Sequence, residues 1–179
     1  MEISIRKLEI YKEVEKQTSI IGASLKSEDG KSLLEQIWAN EYDSAVLDTF
    51  WREGVSTLYS SFVRFLGSSS VKYDLMASDD GEVLKIQADM PENFEDNLAG
   101  DIQNVCKDFL AISIVGGWLG YKIPDKAVSY NEKSVGYITE LRNKLFYRKA
   151  PEQLRKENEN IDDVKIEQGY GCNNNAIQG

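Results

Sequence analysis

The chain has 179 residues, 41% apolar and 28% charged, which suits one soluble domain with a proper core and leaves too little chain for two. Histidine is absent, so Ser-His and Cys-His nucleophile pairs, His-ligated metals and the commonest general base are all excluded. The formal charge of −9 argues against a general nucleic-acid binder, whose footprint must be net basic.

Met1 to Leu8 contains no apolar stretch, so no secretory leader is expected. A first helix is predicted from about Ser4 to Ile21, where Leu8, Tyr11, Val14, Thr18 and Ile21 recur every three or four residues, with Gly22 as its stop. A polar linker from Ser24 to Gly30 leads to a short helical segment marked by Leu33, Leu34, Ile37 and Trp38. The third helix, Ser44 to Leu66, has the strongest pattern. Val46, Phe50, Gly54, Leu58, Phe62 and Leu66 form an i,i+4 row, which Leu47, Trp51, Val55 and Phe65 widen into a stripe. Asp43 or Ser44 can cap its start, and Gly67 with Ser68 to Ser70 ends it. Gly54 costs about 1 kcal/mol against alanine inside a helix, so another backbone is expected to pack close there. The aromatic stripe reads as core and not as a ligand pocket.

A β-hairpin is predicted at about 71–90. Asp80-Gly81 is a favoured type I′ turn pair, and placing it at the tip sets Ala77 opposite Leu84, Leu75 opposite Ile86, Tyr73 opposite Ala88 and Val71 opposite Met90. All four apolar pairs then share one face, with Lys72 opposite Asp89 and Asp74 opposite Gln87 on the other. A slip of one residue would turn the apolar set outward. Two strands alone are marginal in water, so this face is expected to lie on the helices and the edges to be free to pair with another chain.

Pro91 ends the second strand and Asn93 can cap the next helix. Phe94, Leu98, Ile102, Val105, Phe109, Ile112, Gly116 and Leu119 keep helical spacing, with Gly100 as a point of division. Cys106 falls on this apolar face and reads as a buried free thiol. Phe109 to Tyr121 is nearly uncharged but only about thirteen residues long, short of the roughly twenty that a membrane span requires. Gly116-Gly117 has no phosphate-loop frame around it and signals close helix packing or fraying. Pro124 and Asp125 suit the start of a last helix, whose buried face is Ala127, Tyr130, Ser134, Ile138, Leu141 and Leu145. Its end is basic: Arg142, Lys144, Arg148 and Lys149 have no acid among them. They either complement the helix dipole or form a patch for an acidic partner. After Pro151 the composition turns charged, then rich in Asn, Gln and Gly, and Cys172 sits alone there. Leu154, Ile161, Val164, Ile166, Tyr170 and Ile177 cannot sustain a core.

The expected fold is therefore mainly α: a helical bundle with one β-hairpin, occupying 1–150, and an extended C-terminal tail at 151–179. The acids are interspersed with bases, as on a solvated helix surface. No catalytic, cofactor or metal residues are assigned, and a non-enzymatic role is expected.

This order of helices, hairpin, buried helix, basic-ended helix and tail resembles the small head–tail connector, or adaptor, proteins of tailed bacteriophages. The segment Leu141-Arg-Asn-Lys-Leu-Phe-Tyr-Arg-Lys-Ala-Pro151 is similar to the end of short proteins in phage-like gene clusters of gut anaerobes, which also carry a Trp-containing helix upstream, as Val115-Gly-Gly-Trp-Leu119 does here. The resemblance spans roughly Leu8 to Pro151. It implies a structural virion protein of the neck, made in the bacterial cytoplasm, whose copies form a ring, usually twelvefold, between portal and tail. DNA would pass through its channel without specific binding, and an acidic lining would not hold phosphates. The partners implied are further copies of the chain, the portal and tail or other neck proteins, with no membrane and no cofactor. Partner contacts are expected from the tail and its root: Arg142, Lys144, Arg148, Lys149, Leu154, Ile161, Val164, Ile166 and Tyr170. The alternatives are a tail-completion or tail-terminator protein, which would be richer in strand, and a non-viral cytoplasmic interaction module.

Overall fold

Met1 is followed by a strand, where a helix was expected from Ser4. In β1, Glu2–Arg6, Ile3 and Ile5 alternate with Glu2, Ser4 and Arg6, and both isoleucines are fully buried. β-Branched side chains at every second position suit one face of a pleated strand. Helix α1 begins only at Lys7 and runs to Ser24. The computed structural model describes residues 1–27, 29–66, 73–78 and 81–148. They form α1, a short α2 (Leu34–Ile37), α3 (Ser44–Phe62), β2 (Tyr73–Ser78), β3 (Gly81–Gln87), α4 (Leu98–Lys122) and α5 (Pro124–Phe146), with 3-10 turns at Glu41–Asp43 and Val63–Phe65. The fold is mainly α. Its compact unit is Met1–Arg148.

The sheet has three strands in the order β1-β3-β2, all antiparallel neighbours. The hairpin is thus not a lone pair: β3 is the central strand, with Ile3 opposite Ile86 and Ile5 opposite Leu84. Its register also differs from the expected one. Tyr73 pairs with Ile86, Leu75 with Leu84 and Ser78 with Gly81, a shift of two residues. Such a shift preserves which face each position occupies, so Tyr73 and Leu75 still stand opposite apolar residues, although Ala77 now stands opposite Glu82. Gly81 belongs to β3 and does not form the tip with Asp80. Asp80 and Val71 lie outside the described residues.

Helix α4 is the axis of the core. Ile102, Cys106, Leu110, Ile114, Val115, Trp118 and Leu119 are essentially inaccessible, and the Trp118 indole N–H donates to the Ile37 carbonyl at 2.6 Å. Gly100 does not divide this helix, which starts at Leu98 and not near Asn93. Gly22 does not end α1 but lets it meet α2, because a Cβ there would lie 2.8 Å from Leu34 Cα. At Gly54 a Cβ would come within 3.0 Å of Leu110 Cδ2, so a side chain of α4, and not a backbone, fills the expected close approach. A Cβ at Gly117 would sit 2.6 Å from the Phe50 ring, which makes the glycine pair a packing device. Where α1 meets the segment after α2, the buried Thr18 hydroxyl donates to the Val14 carbonyl at 2.9 Å and accepts from the Ala39 N–H at 3.0 Å.

Helix α3 stops at Phe62, and its last turn tightens into the 3-10 turn Val63–Phe65. Its buried face is centred on Leu47, Trp51, Val55, Leu58 and Phe62, while Val46 from the expected row is 38% exposed. Asp43 makes no side-chain cap on α3, and Asn40 caps the turn before it. Asn40 and Asp43 exchange side-chain and backbone hydrogen bonds across Glu41–Asp43. Pro124 opens α5 at its first turn, as its fixed φ and missing N–H allow. Residues 149–179, and with them the expected extended tail, lie outside the described residues.

Candidate partner-binding surface

The basic end of α5 does not act as one patch. Lys144 reaches back to Asp101 of α4 and to Glu140 on its own helix, each at 3.5 Å. Its charge is thereby committed within the fold. Arg148 closes the helix: one guanidinium nitrogen donates to the Leu145 carbonyl at 2.8 Å and to that of Tyr147 at 2.7 Å, satisfying acceptors left open at a helix end. The same guanidinium lies 6.0 Å from the Phe65 ring. Arg142 is exposed and makes no hydrogen bond or ion pair with another described residue.

Tertiary packing adds a second arginine. The turn after α3 is fixed by the Phe65 carbonyl, which accepts from the Asp89 N–H beyond β3 at 2.7 Å. This sets the Phe65 ring 5.3 Å from that of Phe146 and holds the Arg64 guanidinium 5.9 Å from the Phe146 ring. Between the two helix ends runs a groove of about 320 Å³ lined by Ser60, Ser61, Val63, Arg64, Arg142 and Phe146. Both serine hydroxyls donate to their own helix, at the carbonyls of Ser56 and Thr57, which leaves their oxygens able to accept. No acidic residue is among the described residues that line the groove.

Of the residues expected at a partner contact, Arg142 lines this groove, Arg148 lies beside its aromatic wall and Lys144 is turned toward Asp101. Lys149, Leu154, Ile161, Val164, Ile166 and Tyr170 lie outside the described residues. Val63 and Arg64 were missed because the expected third helix, running to Leu66, places its last turn in the core, and Phe146 because it falls off the expected buried face of α5.

A second polar cluster fastens the sheet to the helices. Lys7 pairs with Asp48 at 2.9 Å and Glu82 at 3.2 Å, the Tyr11 hydroxyl donates to Asp48 at 2.5 Å, and the Trp51 indole donates to Glu82 at 2.8 Å. Burial, then the hydrogen bond to Asp48, pushes the Tyr11 phenol far above its ordinary value, so it is no base at neutral pH. Burial raises the Asp48 carboxyl, but hydrogen bonds from Tyr11 and Lys7 and the charges of Lys7 and Arg52 outweigh this and leave it below the usual range. Every member has a partner within the fold, which makes this a structural clasp. A group with a depressed folded pKa stabilises the protein above its unfolded value, about 3.9 for Asp, and that contribution is lost as pH falls through the folded value. Asp48→Asn should therefore lower stability at neutral pH and flatten the loss of stability below about pH 4. Urea midpoints measured from pH 7 to pH 2 check this, and parallel curves for the two proteins would refute it.

Cys106 is buried, and burial pushes its thiol up to about 12, which makes it a poor nucleophile at neutral pH. Among the described residues no group of three or more Cys, Asp or Glu is placed to hold a metal ion. No helix among them is long and apolar enough to cross a membrane. No protein-family model, curated protein or solved structure matches the chain.

Proposed function

We propose that this chain is a non-catalytic assembly subunit: a head–tail connector whose copies form a ring between portal and tail of a bacteriophage and line the channel through which DNA leaves. The supporting observation is a helix-dominated body whose small sheet ends in two strands, β1 and β2, each paired on one side only among the described residues. Unpaired strand edges are templates for association with another chain. The weight of helix favours a connector over a tail-terminator protein, which would be richer in strand. The polar clasp of Lys7, Tyr11, Asp48, Trp51 and Glu82 is satisfied within the fold, which supports a structural role for it. The resemblance of Leu141 to Pro151 and of Val115 to Leu119 to connector sequences supplies the virion context, and the net charge of −9 suits a channel that does not retain DNA. Partner contacts are assigned to the basic end of α5 and to the tail beyond it.

Imaging of the particle produced when this chain is expressed with its neighbouring genes tests the proposal. Many copies around one axis are expected, between portal and tail. A single copy per particle, or none, defeats it. The purified chain alone is allowed to be monomeric, since ring formation can wait for the portal.

A further inference from the structure

Several cations of this acidic molecule are matched by carboxylates: Lys7 by Asp48 and Glu82, Lys16 by Glu13, Lys107 by Glu9 and Lys144 by Asp101. Arg64 and Arg142 have no carboxylate partner among the described residues, and the groove between the ends of α3 and α5 holds both. It joins them to an apolar wall from the half-exposed Phe146 and the half-exposed Val63 and to two serine oxygens, with no acid among its described lining residues. We propose that this groove takes an acidic, extended peptide segment of a partner protein. Its carboxylates would sit on Arg64 and Arg142, an apolar side chain against Phe146 and Val63, and its backbone N–H groups toward Ser60 and Ser61. Guanidinium forks suit carboxylates, and such charge-assisted hydrogen bonds are the strong ones.

Size and charge select a peptide over other anions. A groove of about 320 Å³ holds a few side chains, and its apolar wall has no counterpart in a phosphate backbone. A long polyanion would also meet the repulsion of the whole acidic surface. A short segment responds mainly to the local arginines, because fields are screened beyond about 10 Å at 0.1 M salt. The inference rests on the proposed function only in supposing a protein partner, and its test needs no particle.

The full chain is titrated with the acetylated peptide Glu-Asp-Leu-Glu-Asp and with its Gln-Asn-Leu-Gln-Asn counterpart, by calorimetry at low and high salt. The acidic peptide should bind, weaken as salt rises, and outcompete the amide form. Arg142→Gln should reduce its affinity by about tenfold, and the double variant with Arg64→Gln further. Lys126→Gln, at an exposed cation in the first turn of α5, should change nothing. Thermal melts confirm that the variants are folded, which exposed substitutions allow. Equal affinity for the two peptides, insensitivity to Arg142→Gln, or no binding with millimolar peptide overturns the proposal. So does a short DNA duplex that binds in the peptide's place. Binding that emerges only after residues 152–179 are removed would assign the groove to this chain's own tail and also overturn it. A particle without a ring leaves this result untouched, so the two ideas fail separately.

Discussion

Ile5→Ala should destabilise the protein by about 2–5 kcal/mol, the range for truncating a fully buried isoleucine. Ile5 has no exposed surface and lies opposite Leu84 on the central strand of the sheet. The substitution removes apolar contact from the sheet and leaves a cavity where β1 meets the core. Relaxation is limited there because Ile3 and Ile86, its neighbours in the ladder, are also inaccessible. Leu8 supplies the control. It would be a core residue of a helix starting at Ser4, yet it is 50% exposed, and Leu8→Ala should cost less than about 1 kcal/mol. Urea unfolding of the two variants decides between the arrangements. A cost for Ile5→Ala no larger than for Leu8→Ala would show that the first residues are not part of the sheet.

That strand shows where sequence patterning stops. Helices α3, α4 and α5 are long enough for their apolar period to declare itself, and their positions agree with it to within a few residues. β1 has five residues and only two apolar ones, so its alternation is brief and is continued by the helical spacing of Leu8 and Tyr11. Its partner, β3, lies some eighty positions away, and local pattern carries no sign of that pairing. The hairpin failed for another reason. Side-chain alternation has period two, so a register shifted by two keeps Leu75, Leu84 and Ile86 on one face, and the Asp80-Gly81 preference then tipped the choice the wrong way. At the basic end of α5 the sequence reveals charge but not its use. Lys144 pairs with Asp101 of the preceding helix and Arg148 donates to carbonyls at the end of its own, while Arg64 joins Arg142 only because α3 and α5 end side by side. The glycines divide in the same way: Gly116-Gly117 left close packing and fraying open, and only the packed helices identify Phe50 as the ring that needs the space.

Deleting residues 152–179 should separate folding from assembly completely. Among the described residues the hydrophobic core runs from Ile3 to Leu145, and the compact unit closes at Arg148, so the truncated chain should keep its helical signal and its urea midpoint. Under the proposed function it should nevertheless fail to join the particle, because the tail is assigned to a neighbouring subunit, above all the portal. The sequence of the tail sets the terms. Helix α5 has already ended at Phe146, and Leu154, Ile161, Val164, Ile166 and Tyr170 are too few to bury a core of their own. Ordering each residue costs about 1–2 kcal/mol of backbone entropy, so docking requires contacts spread along much of the segment. Ile161, Val164 and Ile166 suit an added strand on a partner's sheet, where main-chain hydrogen bonds would supply them. Removing the segment removes all of these contacts at once, which is why incorporation should be lost outright and not merely weakened. The competing arrangement, a tail folded back on its own body, predicts the reverse. Truncation would then lower the urea midpoint, by an amount that scales with the surface uncovered, and incorporation would fall only as far as folding does. Quantifying the truncated chain in purified particles, next to its unfolding curve, distinguishes the two, and normal incorporation of a folded truncated chain rules out the portal-docking assignment.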